Sequence, residues 1–209
     1  MAGSMPVAQH GRRPAVRRGI WRAAIGAITA LVSVPVGFPS PVDAQQPRPS
    51  EYQVKAVYLY NFSRFVGWPA QAPPPQGNSF SICVLGKDPF GEVLDATLAG
   101  ENIAGKSVVA RRVAQPQEAT GCRVVYISAS EEGRLKDILT VLDKCSALTV
   151  SDIPRFSQRG GMIQFVLQGD RVRFEVNLAS TSEAGLTLSS DLLKVAVAVR
   201  RAGQPGEAK

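Results

Sequence analysis

Apolar residues along the chain switch between helical spacing and short continuous runs, which is typical of an α/β fold. Helical spacing is clearest in residues 130–144, where the apolar positions are Leu135, Ile138, Leu139 and Leu142. Up to residue 152 the pattern predicts a helix at 51–66, a strand at 80–85, a helix at 89–98, strands at 107–113 and 123–128, a helix at 130–144 and a strand at 147–152. This order favours a compact α/β sandwich with a mixed, largely parallel sheet and helices on both faces.

The segment RGGMIQFVLQGDRVRFEVN, residues 159–177, alternates between apolar and polar residues instead. In a strand at 171–177, the apolar side consists of Val172, Phe174 and Val176, and the polar side consists of Arg171, Arg173, Glu175 and Asn177. Residues 162–167 form the preceding strand, and Gln168-Gly169-Asp170 supplies the turn. The pattern predicts an antiparallel hairpin in the C-terminal half with one solvated face. A short helix ending at Gly185 and a final, mostly buried helix over 189–200 are predicted after it.

Two glycine-containing segments are candidates for ligand loops. Gly160-Gly161 precedes a strand, whereas a phosphate-binding loop places its glycines after a strand and before a helix, where the helix N-terminus meets the anion. This pair is therefore interpreted as the entry to the hairpin. The segment GKDPFG, residues 86–91, does follow a strand, but it lacks the GxxxxGK[ST] spacing. An ordinary turn is favoured there over a small-ligand site near Lys87.

The first 44 residues have the pattern of a secretory signal peptide. A cluster of arginines precedes the uncharged run AAIGAITALVSVPVGF, and Val42 and Ala44 match the small residues that signal peptidase recognises. We expect cleavage between Ala44 and Gln45 and localisation to the periplasm. The alternative is an uncleaved anchor helix, but spanning a bilayer takes about 20 apolar residues. The run is shorter than that and is interrupted by Pro35.

Charge and histidine content exclude several classes of function. Most of the formal charge of +7 belongs to the arginine-rich leader, so the composition gives no argument for nucleic-acid binding. The only histidine, His10, also lies in the leader. The usual Ser-His-Asp and Cys-His catalytic arrangements are therefore excluded from the mature part, and we expect neither catalytic residues nor a cofactor.

Three cysteines, Cys83, Cys122 and Cys145, follow the leader, and none has CxxC spacing. We therefore expect no zinc site. In an oxidising compartment two of the three are expected to pair. Cys83 lies within FSICVL and Cys122 at the start of CRVVYIS, two segments that are predicted to form core strands. A bond between neighbouring strands is the simplest geometry. Cys145 would then be a buried small apolar residue near a helix end.

Six segments taken together resemble the YfiR family of periplasmic regulators. They are VKAVYLYNFSRFVGWP (54–69), FSICVLGKDPFG (80–91), ENIAGKSVVARR (101–112), GCRVVYIS (121–128), RGGMIQFVLQGDRVRFEVNL (159–178) and AGLTLSSDLLKVA (184–196). The resemblance implies a compact α/β sandwich that often forms a homodimer. It also implies a non-enzymatic protein that represses a membrane-bound diguanylate cyclase by binding its periplasmic sensor domain, which lowers cyclic di-GMP and limits biofilm formation.

The resemblance also bears on the cysteines. Cys83 and Cys122 match the structural disulfide of the family. A second pair found in the best-known member is missing, because Ser157 and Gln164 stand in that region.

These expectations define one domain and one candidate surface. We predict a signal peptide at 1–44, a flexible leader at 45–50, a single YfiR-like domain at 51–200 and a disordered tail at 201–209. The predicted partner-binding residues are Arg171, Arg173 and Glu175 on the polar hairpin face. The alternative function is a small-ligand module for a sensor histidine kinase or a transport system, with its ligand near Lys87 or near the aromatic residues Tyr58, Phe62, Phe65 and Trp68.

Overall fold

The computed structural model describes residues 49–70 and 79–201. The predicted signal peptide at 1–44 lies outside the described residues, as do 45–48 of the predicted leader and 202–209 of the predicted tail. Within the described ranges, no helix is both long enough and apolar enough to cross a membrane.

Short helices and strands alternate through most of the described chain. The α-helices are α1 (Glu51–Phe65), α2 (Glu92–Leu98), α3 (Leu135–Leu142), α4 (Leu178–Glu183) and α5 (Ser190–Val195). The strands are β1 (Val66–Gly67), β2 (Ser79–Leu85), β3 (Asn102–Ile103), β4 (Lys106–Val113), β5 (Val124–Ile127), β6 (Leu148–Ser151), β7 (Ile163–Gln168), β8 (Arg171–Asn177), β9 (Thr187–Leu188) and β10 (Ala198–Arg200). Single 3-10 turns connect them at Pro116–Ala119, Ala129–Arg134, Asp143–Cys145 and Phe156–Arg159.

Helix α1 begins at a capping box. The Ser50 hydroxyl accepts a hydrogen bond from the Gln53 backbone N–H, and the Gln53 side chain accepts one from the Ser50 backbone N–H. Three apolar residues of the helix, Ala56, Leu59 and Phe62, are fully buried. The cap therefore sets where the helix starts, and the apolar stripe sets which side lies on the sheet.

Eight strands form one sheet in the order β10-β8-β7-β6-β5-β2-β4-β3. The neighbours from β7 through β6, β5 and β2 to β4 are parallel, whereas β7 and β8 form an antiparallel hairpin. The sheet is therefore mixed and largely parallel, with the hairpin in the C-terminal half, and the predicted fold class is confirmed. A separate two-stranded ladder pairs β1 with β9.

Helices cover both faces of this sheet. Residues of α1 and α2 pack with Ile82 and Val84 of β2 in one core, whereas residues of α3 pack with Cys83 and Leu85 in the other. Successive side chains of a strand point to opposite faces, so β2 contributes to both cores. This explains why the strand is a nearly continuous apolar run rather than an alternating one.

The predicted disulfide is present between Cys83 on β2 and Cys122 immediately before β5, with a Cα–Cα distance of 6.0 Å. It lies within the core that α3 covers. Cys145 is a free, buried thiol at the end of the 3-10 turn that follows α3. Burial raises the pKa of Cys145, which disfavours the reactive thiolate.

The C-terminal segment corrects one prediction. Helix α5 ends at Val195, and residues 198–200 form β10, so the predicted single helix over 189–200 is wrong beyond residue 195. Strand β10 runs parallel to β8, with Ala198 opposite Glu175, and the Val197 N–H donates to the Phe174 carbonyl at 3.0 Å. The alternating small and β-branched residues of AVAVR are compatible with a helix or a strand. The open edge of β8 favours the strand, because β10 can pair with it there.

Candidate functional site

The hairpin of β7 and β8 has the two faces that its sequence predicts. Val172, Phe174 and Val176 are buried, and the Phe174 ring packs edge-on against Phe62 of α1 at 5.0 Å. The connecting turn consists of Gly169 and Asp170, and Gly169 has φ +57°, a conformation that glycine adopts without strain. The alternation places Arg171, Arg173 and Glu175 on the opposite side of β8 from these three buried residues.

The two arginines on this polar face have no ion-pair partner among the described residues. Arg171 is exposed and Arg173 is half-buried. Across the ladder, Arg171 lies opposite Gln168 and Arg173 lies opposite Val166. Both guanidinium groups therefore have donors available for an external acidic group.

Glu175 is arranged differently. Its Oε2 accepts a hydrogen bond from the Ser157 hydroxyl at 2.9 Å, and Gln164 Oε1 accepts one from the Ser157 backbone N–H at 3.0 Å. Asn177 donates to the Ser157 carbonyl at 2.8 Å and also caps α4 through Ser180. Glu175 and Asn177 thus hold the 3-10 turn at Phe156–Arg159 against the hairpin. Ser157 and Gln164 are in direct hydrogen-bond contact in the region of the missing second disulfide.

A groove of about 630 Å³ lies between the start of α1 and the tip of the hairpin. Its apolar lining includes Val54, Tyr58 and Leu167, and Leu167 is 57% exposed. Arg171 and Arg173 line the same groove. The lining of this groove therefore combines apolar residues with the two unpaired arginines, a combination common in protein–protein interfaces.

A second cavity, of about 480 Å³, contains a feature that the sequence pattern does not reveal. Lys55 of α1 lines it, yet the Lys55 side chain is only 3% exposed. Lys55 Nζ lies 2.6 Å from Asp152 Oδ2 and 2.5 Å from Glu51 Oε1. Burial alone lowers the pKa of Lys55, but the hydrogen bonds to Asp152 and Glu51 outweigh it and raise the pKa above its ordinary value.

Asp152 follows β6 directly, at the carboxyl end of the parallel strands, where α/β proteins commonly bind ligands. Its Oδ1 atom is buried and has no hydrogen-bond partner. Tyr126 of β5 is fully buried nearby; burial, followed by the negative charge of Asp152, raises the pKa of Tyr126. The only local signal for this cluster in the sequence is the i, i+4 spacing of Glu51 and Lys55, which usually marks an ordinary surface pair.

Lys87, at one of the two alternative ligand positions, lies in a tightly held turn. Lys87 is exposed, and its backbone N–H donates to the Ser130 hydroxyl at 3.0 Å. Neighbouring Gly86 is enclosed, because a Cβ there would lie 2.5 Å from Glu131 Oε1. Arg112 holds the turn by donating to Asp88. The segment GKDPFG is thus an ordinary βα turn, as favoured by its sequence.

The aromatic residues of and after α1 divide between core and surface. Phe62 is fully buried, Tyr58 and Trp68 are half-buried, and Phe65 is 41% exposed. Tyr58 alone of these four lines one of the cavities described above. Within residues 49–70 and 79–201, no cluster of three or more His, Cys, Asp or Glu side chains is arranged to hold a metal ion.

These elements define an α/β fold with a polar hairpin face, an adjoining apolar groove and a cavity built around a buried lysine. A family model described as YfiR/HmsC-like matches residues 52–197. The chain therefore belongs to the YfiR/HmsC-like family of periplasmic regulators, and the resemblance found in its sequence is confirmed.

Two solved structures are similar to the chain. The crystal structure of a conserved domain protein from Vibrio cholerae O1 biovar El Tor has 13% identity and a TM-score of 0.51, covering 72% of this chain. The match spans 60% of the length of that structure, and at this identity it shows the fold alone. The ABC domain from Streptococcus pneumonia in complex with L-Trp has 12% identity, a TM-score of 0.42 and coverage of 59% of this chain and 56% of its own, too slight to support an argument.

Proposed function

We propose that this protein is a periplasmic, non-enzymatic regulator that binds the periplasmic sensor domain of an inner-membrane signalling protein and represses it. A diguanylate cyclase is the first candidate for the partner. The membership of the YfiR/HmsC-like family supports the regulatory role. Repression would lower cyclic di-GMP and limit biofilm formation, and the regulator itself would act through a binding equilibrium, without a catalytic group.

One observation carries the choice of contact surface. Arg171 and Arg173 have no ion-pair partner in the described part of the chain and line a groove beside the exposed Leu167. Exposed apolar surface next to unpaired guanidinium groups favours a partner that presents acidic groups around an apolar side chain. Glu175 is the third predicted contact residue. Its carboxylate already accepts a hydrogen bond from Ser157, so we assign it a supporting role at the edge of the contact surface.

The partner can be tested in the native organism. A membrane protein with a GGDEF domain encoded beside this gene is the candidate to examine. Deletion of the regulator gene should raise cellular cyclic di-GMP, and complementation with the wild-type gene should restore the original level. Complementation with an Arg171→Glu/Arg173→Glu variant should fail, provided that its periplasmic amount equals that of the wild type. Unchanged cyclic di-GMP on deletion would contradict the proposal.

The Lys55 cavity favours a second candidate function, a small-ligand module serving a sensor kinase or transport system. A ligand that binds only the folded state raises the melting temperature. Thermal-shift screening with small metabolites therefore tests the second function, and direct binding to the partner domain tests the first. A neighbouring gene for a histidine kinase or a TonB-type receptor would favour the second function over the first.

A further inference from the structure

The cavity around Lys55 combines a buried charge cluster with an apolar wall. It lies where β6 ends, and its volume of about 480 Å³ is within the range of small-molecule sites. The residues that line it are Glu51, Lys55, Ala129, Asp152, Pro154, Gln164, Phe165, Val166 and Leu167.

The charges of the cluster are unequal. One ammonium group, that of Lys55, faces two carboxylates, those of Glu51 and Asp152. Only one oxygen of Asp152 accepts from Lys55; Oδ1 has no partner. The Asp152 side chain is 18% exposed, so its carboxylate forms part of the cavity wall while it pairs with Lys55. The cluster thus presents an excess of negative charge at the wall of the cavity.

Apart from Gln164, the remaining wall of the cavity is apolar. Phe165 is buried and its ring centroid lies 5.8 Å from Lys55 Nζ, Val166 is half-buried, and Leu167 is exposed. A ligand that reaches Asp152 would therefore place its body against these side chains. An aromatic or short aliphatic group suits such a wall.

We propose that this cavity binds a small organic cation, a primary ammonium group carried on a short apolar or aromatic body. The ammonium donates to the carboxylate of Asp152, and the body packs on Phe165 and Leu167. An anionic ligand would meet both carboxylates while Lys55 is already engaged by them. A bare metal ion is disfavoured because Lys55 Nζ already lies 2.5 Å and 2.6 Å from the two carboxylates.

Binding here would also act on the proposed partner surface. Glu51 and Leu167 line both this cavity and the groove beside Arg171 and Arg173. A ligand that orders these two side chains would change the rim of the groove, which gives the regulator a means of responding to a small amine. The ligand site itself does not depend on which protein occupies the groove.

Three probes of similar shape test the site by calorimetric titration of the purified mature protein at pH 7. They are 2-phenylethylamine, which is cationic, phenylacetate, which is anionic, and 2-phenylethanol, which is neutral. We expect the amine to bind at least about tenfold more tightly than the other two, because only it forms a charge-assisted hydrogen bond with Asp152. Equal or tighter binding of phenylacetate, or no detectable binding of the amine, would overturn the proposal.

Variants locate the binding. Asp152→Asn should weaken amine binding at least about tenfold, whereas Asp191→Asn, on the exposed end of α5, should leave it unchanged.

If Asp152→Asn does not fold, a pair of variants at the exposed Leu167 decides whether the amine binds in this cavity. Leu167→Asp should strengthen and Leu167→Arg should weaken amine binding, each about two- to threefold. Equal affinities in the Leu167 pair, or wild-type affinity in Asp152→Asn, would place the binding elsewhere. Partner binding is measured separately, so neither result affects the proposed function.

Discussion

Lys55 and Asp152 are 97 positions apart in the sequence, and the Lys55 Nζ atom lies 2.6 Å from Asp152 Oδ2. The contact joins the N-terminal half of α1 to the residue that follows β6, in the middle of the sheet. Only 3% of the Lys55 side chain is exposed to solvent. The pair therefore has a structural role in addition to the chemistry proposed for the cavity.

The first prediction concerns this contact. Asp152→Ala should lower the free energy of unfolding by about 2–3 kcal/mol, because a buried ammonium loses one of its two carboxylate partners. Asp191→Ala is the matched control, since Asp191 also pairs with a lysine but both side chains are more than 70% exposed. That control should change the free energy by less than about 0.5 kcal/mol. Urea denaturation measures both, and equal effects would contradict the structural role of the pair.

Alkaline pH should destabilise the domain through the same cluster. The folded-state pKa values of Lys55 and Tyr126 are raised above their ordinary values of 10.5 and 10.0. Above about pH 10 the unfolded chain therefore releases protons that the folded state retains, and stability falls by up to about 1.4 kcal/mol per pH unit for each group. Tyr126→Phe should reduce this slope. Urea denaturation at several pH values between 8 and 11 measures this slope. An equal slope in the wild type and in Tyr126→Phe would contradict the prediction.

The disulfide between Cys83 and Cys122 should account for a large part of the stability. It closes a loop with a sequence separation of 39, and the chain-entropy model gives about 4 kcal/mol for a loop of this size. Dithiothreitol should lower the melting temperature of the wild type but not that of a Cys83→Ala/Cys122→Ala variant. Cys145→Ala, which removes the free thiol, should keep the response to dithiothreitol. A response that depends on Cys145 instead would show a different pairing.

Gly161, at the entry to the hairpin, is required for packing. A Cβ on Gly161 would lie 2.1 Å from Cε1 of the fully buried Phe156. Gly161→Ala should therefore cost about 1–3 kcal/mol, as over-packing of a core does. Gly133→Ala is the control, because a Cβ there has no atom within 4 Å, and it should be neutral or slightly stabilising. Similar stabilities of the two variants would contradict this account of Gly161.

Much of the fold could be predicted from the sequence because its signals are local. The apolar run of β2, the alternation along β8 and the helical spacing of α3 each arise within a few residues. Strand β10 could not be predicted in this way. Its three residues alternate too briefly to distinguish strand from helix, and the unoccupied edge of β8, a long-range feature, determines the outcome.

The candidate site was accessible from the sequence only in part. The polar hairpin face follows from period-two alternation, so Arg171 and Arg173 could be identified as exposed cations. The role of Glu175 depends on Ser157, which a different segment of the chain brings into contact with it. Lys55 carries no local mark of burial, since its partner Asp152 is 97 positions away in the sequence and follows five strands of the sheet. Contacts of this kind are set by the register of the sheet, which no short segment encodes.

The hydrogen bond from Ser157 to Glu175 also decides which variant tests the partner surface. Glu175→Arg would remove that acceptor and place a second donor beside Ser157, so a loss of binding could follow from a local change of structure. The two arginines have no such internal role among the described residues. Arg171→Glu/Arg173→Glu therefore reverses the charge of the polar face and leaves the hydrogen bonds of Glu175 in place.

The dissociation constant for the periplasmic domain of the partner membrane protein, measured for this double variant, tests the central claim most directly. Lys194→Glu is the control, because Lys194 is an exposed cation on α5 whose side chain is 73% accessible. We expect the double variant to bind at least about tenfold more weakly than the wild type, with an unchanged melting temperature, and the control to bind normally. Wild-type affinity of the Arg171→Glu/Arg173→Glu variant would contradict the assignment of the hairpin face as the partner surface.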